Sequence, residues 1–94
     1  MDAVNVFSSH LSANGTLFTG PSYLRSINCL GTATAGTLVF RNGGASGAIL
    51  LKLDVPGNAN NINNVTIPGP GILFDTDCYV SMPSGYNVTV FYGK

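Results

Sequence analysis

Glycine, proline or an Asn/Ser turn pair interrupts this chain every few residues, and no stretch between interruptions carries the 3.6-residue apolar period of an amphipathic helix. What remains between the marks is short and alternating. The clearest unit runs from Thr37 to Asp54. It reads Thr-Leu-Val-Phe-Arg, then Asn-Gly-Gly-Ala-Ser-Gly, then Ala-Ile-Leu-Leu-Lys-Leu-Asp, and this predicts a β-hairpin closed by a glycine-rich turn. Leu38 and Phe40 share one face of its first strand, with Ile49, Leu51 and Leu53 on the matching face of the second. Arg41, Lys52 and Asp54 then point outward, as in a sheet with one buried side.

The same reading extends along the chain. Ala3 to Leu11 alternates loosely and is expected to be an edge strand or part of an extended N-terminal arm within residues 1–14. Asn14-Gly15 reads as a tight turn, because both residues tolerate positive φ, and Thr16–Thr19 follows as a strand ended by Gly20-Pro21. From Ser22 to Leu30 both faces are mixed: Tyr23, Arg25, Ile27 and Cys29 alternate with Leu24, Ser26, Asn28 and Leu30, as in a strand with neighbours on both sides. Gly31–Gly36 reads as a loop. Asn58 to Asn64 holds five Asn in seven residues and is expected to be an exposed connection. Val65-Thr66-Ile67 is a short strand with two residues facing in, stopped by Pro68-Gly69-Pro70-Gly71, whose two prolines bar a central strand. Ile72–Phe74, Cys78–Met82 and Asn87–Tyr92 complete the series, with a turn at Pro83-Ser84-Gly85. About eight short strands at regular spacing predict one all-β domain over residues 1–94, a compact antiparallel β-sandwich of jelly-roll type.

Composition narrows the function. Only 9% of the 94 residues are charged, Glu, Gln and Trp are absent, and the formal net charge is zero. A surface with so little repulsion favours contact with copies of itself or with a larger partner. Four scattered cations (Arg25, Arg41, Lys52, Lys94) cannot neutralise a run of phosphates, so nucleic-acid binding is not expected. No apolar run approaches the roughly 20 residues of a membrane span. The opening Met-Asp-Ala-Val-Asn-Val-Phe carries an acid where a conventional export signal carries a base, so export by such a signal is not expected.

Few side chains offer chemistry. Cys29 and Cys78 each sit in an apolar strand pattern and read as two buried, reduced thiols; the competing reading is a single staple closing a loop of about 50 residues. His10 follows Ser8-Ser9, yet neighbours on a strand point to opposite faces, so the pair does not make a catalytic site and His10 reads as solvated or at an interface. Asp75 and Asp77 lie on one side of an extended segment, but two carboxylates fall short of the six to eight oxygens calcium takes. They read as turn residues accepting backbone N–H groups. No catalytic, metal-binding or cofactor-binding residues are assigned. Aromatic residues are the remaining recognition candidates: Tyr23, Tyr79, Tyr86, Phe91 and Tyr92. Alternation puts Phe91 and Tyr92 on opposite sides of the last strand, so one of them faces away from the core. Phe91, Tyr92 and Tyr79 are therefore the candidate interface residues.

Together, the segments Leu38–Gly47, Leu50–Leu53, Ile67–Val80 and Val88–Gly93 resemble small proteins of marine tailed bacteriophages, especially those infecting cyanobacteria and abundant ocean bacteria. The resemblance covers roughly residues 23 to 93, and its most specific part is the proline-glycine run followed by Ile72-Leu-Phe-Asp-Thr-Asp77. It implies a phage origin and a virion component such as a head decoration or knob protein, assembled in the host cytoplasm, and it carries no catalytic residues. The expected function is non-enzymatic: stoichiometric binding that decorates or stabilises the capsid shell. Its expected partners are other copies of the chain, as a homo-oligomer such as a trimer, and the major capsid protein or another virion component. The alternative is a carbohydrate or host-surface binding module at a fibre tip, using Tyr side chains and Asn-rich loops. A third reading is a protein made during infection that acts on the host by binding.

Overall fold

The alternating segments fold as strands, and the punctuation falls between them. The computed structural model describes residues 6–57 and 62–93. Its strands are β1 (Phe7–Leu11), β2 (Gly15–Thr19), β3 (Ser22–Leu30), β4 (Gly36–Asn42), β5 (Ala48–Val55), β6 (Ile62–Thr66), β7 (Ile72–Phe74), β8 (Asp77–Ser81) and β9 (Asn87–Gly93). No helix occurs among the described residues, and none is therefore long and apolar enough to cross a membrane. The strands form two antiparallel sheets, a five-stranded one ordered β1-β9-β3-β6 with β7 also on β3, and a four-stranded one ordered β2-β8-β4-β5. The β-sandwich expectation is met, with nine strands instead of about eight. Ile67–Gly71 breaks one edge into β6 and β7, both paired to β3, in line with the separate strands read at Val65–Ile67 and Ile72–Phe74.

The pairings describe one long antiparallel ribbon: β1 with β9, β2 with β8, β3 with β6 and β7, and β4 with β5 at the closing hairpin. Wrapping that ribbon brings β9 beside β3 and β8 beside β4, which joins its turns into two sheets. Consecutive strands therefore often lie in different sheets. The segment at Asn14-Gly15 is one such crossing and not a tight hairpin: neither residue has positive φ, and Asn14 Oδ1 instead accepts the Met82 N–H at 2.7 Å. Of the expected N-terminal arm, Phe7–Leu11 is an edge strand on β9, and residues 1–5 lie outside the described residues.

Both inner faces meet in one core. Leu24, Ile27, Cys29, Val88 and Val90 from the five-stranded sheet pack with Phe18, Leu38, Phe40, Cys78 and Val80 from the other. Phe18 sits edge-on to Phe74 at 5.8 Å and stacks on Tyr92 at 4.3 Å. Ser22 is the one fully buried polar side chain among the described residues, and its hydroxyl donates to the Thr19 carbonyl at 3.1 Å.

Three β-bulges reset which residues face in. Arg25 is the extra residue of β3 opposite Tyr92 and Phe91, so Leu24 points inward before it while Ile27 and Cys29 point inward after it. The mixed faces of Ser22–Leu30 arise from this phase change, and β3 has the neighbours on both sides that the pattern predicts, β9 on one and β6 with β7 on the other. Leu50 is the extra residue of β5, which turns Ile49 outward to 43% exposure while Leu51 and Leu53 stay against the core. The expected inward Ile49 is thus corrected. In β2 the extra residue is Leu17, and both it and Phe18 are buried. A second correction concerns the Asn-rich segment: Ile62, Asn63 and Asn64 belong to β6 and pair with β3, while residues 58–61 lie outside the described residues. These polar residues fit a strand because β6 is an edge with one solvated face.

Tyr86 closes one end of the sandwich. It is fully buried, and its hydroxyl donates to the Thr34 carbonyl at 2.8 Å. Gly36 leaves room for it, since a Cβ there would meet the Pro83 ring and the Tyr86 hydroxyl. At the other end, Gly71 has φ +107° and lies against the Leu24 carbonyl, a position open only to glycine. There the Ile67 N–H donates to the Arg25 carbonyl at 2.9 Å, so the strand break and the β3 bulge fit one another.

Candidate interaction face

Residues directly opposite in an antiparallel pair share a face, so the register fixes what the five-stranded sheet shows to solvent. One cross-strand row is Ser8, Phe91, Ser26 and Thr66. The next is His10, Thr89, Asn28 and Asn64. A third holds Asn87, Leu30 and Ile62, and beyond the first row Tyr23 lies beside Leu73. Polar side chains of the second row are paired: His10 Nδ1 lies 2.8 Å from Thr89 Oγ1, and Asn28 Nδ2 donates to Asn64 Oδ1 at 2.7 Å. Phe91 stands out of the middle of the sheet at 39% exposure, with Leu73 on one side and Leu30 and Ile62 on the other. No carboxylate shares this face among the described residues; its one cation is Arg25 at the bulge.

The outer face of the four-stranded sheet differs. Thr16, Tyr79, Arg41 and Ile49 make one row, then Ser81, Val39 and Lys52, then Thr37 and Asp54. It carries charge of both signs. Thr37 Oγ1 donates to Asp54 Oδ1 at 3.0 Å, and an Arg41 guanidinium N–H donates to the Gly47 carbonyl at 3.1 Å.

The three candidate interface residues are therefore not brought together. Phe91 faces out from one sheet, Tyr79 is half-buried on the outside of the other, and Tyr92 points inward. Tyr92 is covered by Phe18 and tilted against Phe7 at 5.6 Å, so it is corrected from an interface candidate to a core-lining residue. Tyr86 is removed from the recognition candidates by its burial. Leu30, Ile62 and Leu73 were missed. Pairing across strands is what groups them with Phe91, and no sequence separation displays that.

The remaining chemistry is committed within the protein. Asp77 Oδ1 accepts the Gly43 and Gly44 N–H groups at 3.0 and 2.9 Å, so the expected backbone N–H donors come from the distant β4–β5 loop and not from its own turn. Asp75 Oδ1 accepts the Asn42 amide at 2.7 Å, and Asn42 Oδ1 accepts the Thr76 N–H at 2.9 Å. This corner ties the β4–β5 loop to the β7–β8 connection. No group of three or more His, Cys or Asp side chains is placed to hold a metal among the described residues. Cys29 and Cys78 are buried and unpaired, as the reduced reading expects. Burial pushes the Cys29 thiol up; burial first, then the Asp77 carboxylate, push Cys78 up to about 12. Such thiols carry almost no thiolate at neutral pH and are poor nucleophiles. An open depression of about 420 Å³ lies between the β1–β2 and β8–β9 connections, lined by Ser12–Asn14 and Met82–Gly85, without a charged side chain. Comparison of the chain with family models, curated proteins and solved structures finds no match.

Proposed function

We propose that this chain is a non-enzymatic structural component of a tailed-phage particle, decorating or stabilising the capsid shell by stoichiometric protein contact. One observation carries the reading: the polar groups able to do chemistry are tied to one another or buried, whereas a broad, nearly uncharged sheet face centred on Phe91 is left exposed among the described residues. Such a surface fits binding better than catalysis. The ribbon wiring, with β6 and β7 counted as one strand, supports a jelly-roll reading, an architecture found in capsid and lectin domains. The phage resemblance of the sequence points the same way.

Purified particles of the encoding phage test the proposal by quantitative mass spectrometry. Hundreds of copies per particle support a shell role, a handful would move the chain to the tail or a fibre, and none would refute a virion role. The carbohydrate-binding alternative draws on the Asn28–Asn64 pair beside an exposed aromatic ring. Retention on an immobilised neutral glycan, lost in Phe91→Ala, would favour it.

A further inference from the structure

We infer that the outer face of the five-stranded sheet is a two-fold contact on which a second copy of this chain seats itself, with Phe91 near its centre. The inference rests on the reading that the chain works through protein contact, and it names the first partner.

Charge selects the partner. A face meets its own copy without repulsion only if it carries little charge of either sign, and the paired rows of this face hold no Asp, Lys or Arg among the described residues, Arg25 being the unpaired bulge residue of β3. The opposite sheet face, with Arg41, Lys52 and Asp54 in fixed rows, does not meet that condition. The apolar residues are also placed for self-pairing. Tyr23 and Leu73 lie at one end of the face, Leu30 and Ile62 at the other. A two-fold axis lying across the strands therefore sets each apolar end on the opposite end of the copy. It also separates the two Arg25 side chains.

The polar middle favours a protein over a sugar. His10 with Thr89 and Asn28 with Asn64 already hold one another, so covering them leaves fewer orphaned donors than covering free groups would. A glycan site, by contrast, needs those donors and acceptors for its ligand. Area bounds the size of the contact. The strands of this sheet hold 5, 7, 9, 5 and 3 residues, and at about 3.3 Å rise and about 4.8 Å spacing they make a projected face of roughly 460 Å². This is below the roughly 800 Å² per partner of a standard interface and places the contact among the small, transient ones. A planar patch used isologously closes at two copies, so the contact makes a dimer and not the trimer expected from composition.

Sedimentation equilibrium of the full chain between about 1 and 200 µM tests the contact. A concentration-dependent dimer is expected, and Phe91→Asp should raise its dissociation constant at least about 30-fold, the scale of a hot-spot residue. Circular dichroism should show that variant folded, since its side chain already faces solvent. Ile62→Asp, at a 58%-exposed edge position, gives a second probe that leaves the core alone and should weaken the dimer as well. Tyr79→Asp on the opposite sheet should leave it unchanged. A strict monomer at 200 µM, a trimer, or a dimer indifferent to both Phe91→Asp and Ile62→Asp would overturn the inference. Particle copy number separates this failure from the broader one: a monomer abundant in particles sinks the dimer alone, whereas a dimer absent from particles sinks the shell reading alone.

Discussion

Replacing Tyr86 probes the inside-outside assignment most directly, because its place beside the Pro83-Ser84-Gly85 turn suggests a surface ring while the structure buries it completely. Truncating a fully buried aromatic to Ala costs about 3–5 kcal/mol through lost burial and the cavity left behind. The hydroxyl adds little. Its acceptor, the Thr34 carbonyl, belongs to an exposed residue that water can reach, so losing that bond costs about 0.5–1 kcal/mol. A 94-residue domain holds in total about 5–14 kcal/mol. Tyr86→Ala should therefore remove a large share of the stability and lower Tm by about 12–40 °C, at about 4–8 °C per kcal/mol. Tyr86→Phe should lower it by only about 2–8 °C, by the same conversion. Thermal melts followed by circular dichroism, paired with urea titrations, read both values. If Tyr86→Ala melts within about 3 °C of the parent, well inside the shift expected from burial, the ring does not plug the sandwich and the reasoning fails.

Three further outcomes are expected. Asn42→Ala unties the Asp75–Asp77 corner by removing acceptors from the Thr76 and Asp77 N–H groups and a donor from Asp75, and should destabilise by about 1–3 kcal/mol in urea; no change would mean that the corner is not a tie. Stability should fall in alkali. With Cys78 ionising near 9.0 unfolded and near 12 folded, the native state holds the extra proton between those values, so unfolding free energy drops by up to about 1.4 kcal/mol per pH unit there; Cys78→Ala should flatten that slope relative to the parent, and an unchanged slope would refute the assignment. A chelator should leave Tm unchanged, because Asp75 and Asp77 are held by protein donors; a drop of many degrees restored by Ca²⁺ would make this corner a ligand loop.

Strand positions were largely legible because alternation and turn residues are local signals. Ser22–Leu30 and the Thr37–Asp54 hairpin are found where the pattern places them, and Leu38 and Phe40 face inward as expected. The failures share a cause. A single inserted residue at Arg25 or Leu50 shifts a period of two by one, so every side chain beyond it changes face without any change in composition. Asn63 and Asn64 resemble a loop because the sequence cannot distinguish a solvated edge strand from an irregular segment. The interaction face was half legible. Phe91 or Tyr92 had to point outward, but only the stacking of Tyr92 on Phe18 selects Phe91, and only the register brings Leu30, Ile62 and Leu73 to its side.

The ribbon described above has one closed end, the β4–β5 hairpin, and one open end where Phe7 lies opposite Tyr92. That open pair must find each other across most of the chain, the slowest kind of contact to form because loop closure precedes any reward. A circular permutant with a short linker bridging the open end and a break in the Gly43–Gly47 loop would reverse the arrangement. β1 and β9 would become the local hairpin, and β4 and β5 the distant pair. The two molecules would share one set of native contacts while differing in which had to be gathered from far apart. Their relative folding rates would then show whether the ribbon zips from its closed end or collapses as a whole.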